Sequence, residues 1–74
     1  MQDFSIHYHL YDIRVKQKLS ERKLAELSGV SKSEINYIED GIKHPTVLTL
    51  CLLSRALNVS PYELFSMEIG ECPQ

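Results

Sequence analysis

No tryptophan occurs in these 74 residues, and aromatic residues make up only 8% of them. A platform of aromatic side chains for stacking unpaired bases is therefore not expected. Three glycines, scattered along the chain, rule out a glycine-rich phosphate loop. The two cysteines, Cys51 and Cys72, have neither CxxC nor zinc spacing, so both read as free thiols in a reduced, cytoplasmic setting. No apolar run is long enough to span a membrane, and Met1-Gln2-Asp3 lacks the basic start of a targeting segment. No nucleophile–base–acid set or paired carboxylate site is visible, which argues against an enzyme and against any cofactor. His7-Tyr8-His9 offers two imidazoles two residues apart. On a helix they point to different faces, so they read as surface histidines and no metal is expected.

What remains is 43% hydrophobic residues in a chain the size of one small domain. The net charge is −2 but unevenly spread. Residues 13–43 hold seven basic residues against five acids, while the segments on either side are each acidic by two. A modest local basic surface is compatible with that distribution.

The punctuation is helical. Ile6, Leu10 and Ile13 recur at helical spacing and predict a first helix over 5–18. Ser20 predicts the N-cap of a second helix carrying Leu24, Ala25 and Leu27 inward, with Gly29 as its left-handed stop and Val30 as an apolar plug. Ser31-Lys32-Ser33-Glu34 reads as a capping box opening a third helix with Ile35 and Ile38 inward, closed by Gly41 in the manner of Gly29. Thr46 opens a fourth helix and Asn58 closes it. On this helix Val47, Leu50, Cys51, Ser54 and Leu57 share one arc, read as core-facing. Ser60-Pro61-Tyr62-Glu63 is a second capping box, opening a short fifth helix that runs to about Phe65. No β pattern is assigned. The expectation is one all-α domain over 1–74, with a core at 5–65 and a C-terminal tail at 66–74.

The combination Leu10–Arg14, Leu19-Ser20, Leu24-Ala25, Leu27, Gly29-Val30-Ser31, Ile35, Ile38-Glu39, Gly41, Pro45-Thr46, Leu50, Ala56-Leu57, Val59-Ser60 and Glu63-Leu64 resembles the phage-repressor/Cro-type (XRE-like) helix-turn-helix family. The likeness covers about 10–65. It implies a five-helix, lambda-repressor-like bundle whose helices 2 and 3 form the motif. It implies a structural ion pair between Arg14 and Glu39. It implies base reading in the major groove of double-stranded DNA by Lys32, Ser33, Asn36 and Tyr37. A Lys can donate to guanine and an Asn can pair with adenine. Phosphate contacts would fall to Arg22, Lys23, Lys43 and His44. Glu21 stands where the family usually has a glutamine that touches phosphate and braces a recognition-helix side chain, and a carboxylate repels phosphate.

The fourth helix carries Leu48 and Leu52 outside the core arc. With Tyr62 and Phe65 they mark a dimer or protein-partner surface, unless the chain's own termini fold over them. Two functional readings follow. The first is a transcriptional regulator, foremost a repressor, acting as a homodimer on a palindromic operator. The second is an antitoxin- or adaptor-type interaction module with a repurposed helix-turn-helix.

Overall fold

A computed structural model describes residues 3–70. Four α-helices are framed by two strands: β1 (Asp3–Tyr8), α1 (Leu10–Lys16), α2 (Glu21–Ser28), α3 (Lys32–Glu39), α4 (Val47–Leu57), a 3-10 turn at Pro61–Glu63, and β2 (Phe65–Gly70). The all-α, five-helix expectation is therefore corrected on two counts. Residues 3–8 form a strand and not the start of the first helix, and the fifth helix is a single 3-10 turn. Residues 66–70 of the expected tail join Phe65 in β2, while Cys72 and the rest of 71–74 lie outside the described residues.

The physical reason lies in the period. Phe4, Ile6 and Tyr8 alternate with Ser5 and His7, and Phe65, Met67 and Ile69 alternate with Ser66 and Glu68. That is a spacing of two, the mark of a strand with one apolar face. The strands pair antiparallel, Phe4 opposite Ile69, Ile6 opposite Met67 and Tyr8 opposite Phe65. The backbone N–H of His9 donates to the Leu64 carbonyl at 2.8 Å and ties the base of this ribbon to the helices.

The helix starts follow their caps. The side chains of Ser20, Ser31 and Thr46 each accept a backbone N–H from the first turn of α2, α3 and α4. The reciprocal capping box is complete at Ser60/Glu63, where Glu63 Oε2 accepts from the Ser60 N–H at 2.8 Å. At Ser31 only half of it forms, because the Glu34 carboxylate turns instead to Lys43, 3.1 Å away. Gly29 caps α2 at φ +81°, whereas α3 ends at Asp40 and Gly41 takes the left-handed turn one residue later, at φ +73°.

Leu10, Leu24, Val30, Ile35, Ile38, Leu53, Leu57 and Leu64 form one buried cluster drawn from every helix. Leu27 lies about half exposed rather than inward. On α4 the buried face is Leu53, Ser54 and Leu57, flanked by Leu50 and Leu52; Val47 and Cys51 are exposed, contrary to the predicted arc. The inward arc is shifted toward Leu53, which the predicted set lacks, while Leu50, Ser54 and Leu57 stay on it. No described helix is long and apolar enough to cross a membrane.

Candidate functional site

Helices α2 and α3 meet across the left-handed turn at Gly29, with Val30 buried beneath it. Ser28 is buried in that turn, and its hydroxyl accepts the Val30 N–H at 3.1 Å, so the tight connection leaves that amide satisfied. Ile35 and Ile38 fix the inner face of α3 against the core. The outer face is then set by the helical repeat. Lys32, Ser33, Asn36 and Tyr37 are all exposed and together line one shallow depression of about 270 Å³. The four residues singled out in the sequence thus share one accessible surface.

Beneath the motif Arg14 ties α1 to the end of α3. Its Nε donates to Glu39 Oε2 at 2.6 Å and its Nη2 to Glu39 Oε1 at 3.0 Å, a bidentate fork. Nη1 donates to the Leu19 carbonyl at 2.7 Å, and the guanidinium stands 5.3 Å from the centre of the Tyr11 ring. Only 11% of the Arg14 side chain and 5% of the Glu39 side chain are exposed, so each charge depends on its partner. Burial pushes the Glu39 carboxyl above its ordinary value; the Arg14 hydrogen bonds pull it down, and the nearby Glu21 carboxylate adds to the rise. The hydrogen bonds to Glu39 hold the Arg14 guanidinium above its ordinary value.

Glu21 opens α2 and points across to α3, where Asn36 Nδ2 donates to its Oε2 at 3.3 Å. That contact orients the Asn36 amide, leaving its carbonyl and one N–H free to face outward. The bracing contact that the resemblance assigns to the family's glutamine is made here by Glu21 with Asn36.

Arg22 and Lys23 are exposed on α2, with Lys23 loosely paired to Glu26 at 3.8 Å. Lys43 is partly neutralised by Glu34 at 3.1 Å. Tyr8 and His44 make a contact no sequence signal announced: the Tyr8 hydroxyl lies 2.7 Å from His44 Nδ1, with the rings 5.7 Å apart. Burial raises the Tyr8 pKa, so the phenol keeps its proton; which group donates in this contact depends on the imidazole tautomer. Of the partner surface named in the sequence, Leu48 and Tyr62 are 68% and 82% exposed, and no described terminal residue hides them. Leu52 packs on the core and Phe65 is partly buried at the start of β2.

The sequence profile described as helix-turn-helix matches residues 10–64. The chain belongs to the helix-turn-helix family. It is 42% identical over 57 residues to the HTH-type transcriptional regulator PuuR of Escherichia coli (strain K12), and equally to PuuR of Shigella flexneri. That stretch is 77% of this chain but 31% of either relative, so the chain spans about a third of their length. Among solved structures it superimposes on the restriction-modification controller protein C.AhdI from Aeromonas hydrophila with a TM-score of 0.72 and 31% identity, over 74% of this chain and 83% of that one. A Bacteroides fragilis protein superimposes with a TM-score of 0.75 at 22% identity, over 84% of this chain and all of that one, a likeness of fold. In DNA-binding helix-turn-helix motifs the second helix is the recognition helix.

Proposed function

We propose that this chain is a sequence-specific DNA-binding regulator of transcription that reads double-stranded DNA through α3. The observation that carries the reading is the single exposed face made by Lys32, Ser33, Asn36 and Tyr37 on a helix whose opposite side is locked into the core. Inserted in the major groove, Lys32 donates to guanine N7 and O6, and the oriented amide of Asn36 pairs with adenine N6 and N7. Ser33 and Tyr37 complete the contact. Arg22, Lys23, Lys43 and His44 supply contacts to the flanking phosphates. Two copies on a palindromic operator, their recognition helices about 34 Å apart, would exclude polymerase from a promoter and so repress it. PuuR's description as a transcriptional regulator and C.AhdI's as a controller protein support this reading.

Asn36→Ala tests it. Affinity for a selected cognate duplex is expected to fall by about 1–3 kcal/mol, with a much smaller loss on random duplex. Equal losses on both, measured by fluorescence anisotropy, would reject base reading by this residue. Glu21→Gln keeps an acceptor for Asn36 and removes a negative charge beside the DNA face. It is expected to tighten binding to every duplex about three- to tenfold at low salt, an advantage that fades as screening grows. A salt titration of both proteins checks this, and unchanged affinity would place the carboxylate away from phosphate.

The exposure of Leu48 and Tyr62 favours a second reading, an antitoxin- or adaptor-type module that binds a protein. A duplex affinity that shows no sequence preference at moderate salt would select it.

A further inference from the structure

The ribbon of β1 and β2 divides its side chains by chemistry. One face carries Ser5, His7, Ser66 and Glu68, joined by contacts of His7 Nε2 to Ser5 Oγ at 3.2 Å and to Glu68 Oε2 at 3.3 Å. The other carries Phe4, Ile6, Met67 and Ile69, exposed by 64%, 37%, 58% and 51%. Such alternation is what a sheet with one covered face requires, and an isolated two-stranded ribbon is marginal in water. Yet among the described residues nothing covers the outer part of this face, and the sheet has no third strand.

The geometry points to a second copy of this chain as the cover, packed ribbon to ribbon about a two-fold axis. Three features select that occupant. The face bears no charged residue, so it suits a surface as apolar as itself and matches its own image. The strands contain no Lys, Arg or Pro. These residues are the usual means of keeping strands apart, and a lipid surface would call for flanking basic residues. The size also fits. Four such side chains make a patch on the order of 400 Å². Two such patches bury on the order of 800 Å² together, less than the roughly 1,200 Å² of a stable interface and in the range of a weak, reversible association. A groove of about 520 Å³ beside Phe4, Ile6 and His44 leaves room for an incoming aromatic ring. At the base of the same face Tyr8 holds His44, so the seam is rigidly connected to the loop that follows α3. This inference rests on the paired-copy part of the function proposed above and gives that pairing a seam.

Sedimentation equilibrium of the full chain at micromolar to submillimolar concentration, without DNA, tests it. A reversible dimer is expected; Ile69→Lys should raise its dissociation constant at least tenfold with the helical circular dichroism retained, and Leu48→Lys should leave it unchanged. A monomer throughout, or a dimer dissolved by Leu48→Lys and not by Ile69→Lys, overturns the proposal. Should Ile69→Lys fail to fold, isotope-filtered NOEs in a mixture of labelled and unlabelled wild-type chains decide. Contacts from the Phe4 ring of one copy to the Met67 and Ile69 methyls of another are expected, and a dimer lacking them overturns the seam. Binding of the monomeric variant to a single half-site separates this question from DNA reading. Retained half-site binding by a wild-type monomer would discard the ribbon seam and leave the reading of α3 intact.

Discussion

Replacing Arg14 by Met is expected to destabilise the domain by about 3 kcal/mol at neutral pH, because it strands the Glu39 carboxylate in a site with 5% side-chain exposure. Met preserves much of the aliphatic packing, so the loss isolates the charge. The pH dependence has a definite sign. Glu39 already titrates above its ordinary value through burial, and without Arg14 the opposing pull disappears, so the rise grows. A carboxyl whose folded pKa is raised favours the folded state when protonated. Its contribution is fully present below the ordinary Glu value and is lost as pH rises through the folded one. Acidifying Arg14→Met from neutral pH towards the ordinary Glu range should therefore recover part of the lost stability relative to wild type. Urea titrations at the two pH values check this; a penalty independent of pH would mean that Glu39 finds another partner. Arg14→Met combined with Glu39→Leu should restore most of the loss, since a buried pair is often replaceable by apolar side chains.

The second large effect belongs to Leu24. Its side chain is fully buried in the middle of α2, the helix that packs against both α3 and α4. Leu24→Ala is expected to cost roughly 2–5 kcal/mol through lost burial and the cavity left behind. In a domain of this size that shifts Tm down by about 10 °C or more. The crossing of α2 and α3 depends on the same contacts, so specific duplex affinity should fall together with stability. Leu48→Ala, at an exposed position of α4, is expected to change stability by no more than about 0.5 kcal/mol. Calorimetry of both variants tests the contrast, and equal effects would show that the Leu48 surface is covered in solution.

The helical body was legible because its signals are local. Ser20, Ser31, Thr46 and Ser60 each cap the turn they precede, and Gly29 and Asn58 take the left-handed conformation their positions called for. The ribbon was misread because Ile6, Leu10 and Ile13 satisfy a helical spacing while Phe4, Ile6 and Tyr8 satisfy an alternating one. The tie lies with partners at the far end of the chain, which no short window contains. On α4 nearly every position is apolar, so the wheel had little power to choose a face, and packing against α2 chose Leu53 over Cys51. For the candidate site, the outward set on α3 follows from helix geometry alone. The coupling of Asn36 to Glu21, of Lys43 to Glu34 and of His44 to Tyr8 required three-dimensional neighbours.

The pairing of the chain's two ends in the ribbon also orders events in time. Asp3 lies opposite Gly70, so closing those strands first would cost the loop entropy of nearly the whole described chain. Once α1 to α4 have packed, the His9–Leu64 hydrogen bond holds the strand bases together, and the remaining pairs zip from Tyr8 and Phe65 outward. The helical body should therefore assemble before the ribbon. In native-state hydrogen exchange the strand amides would open first and those of the core helices last.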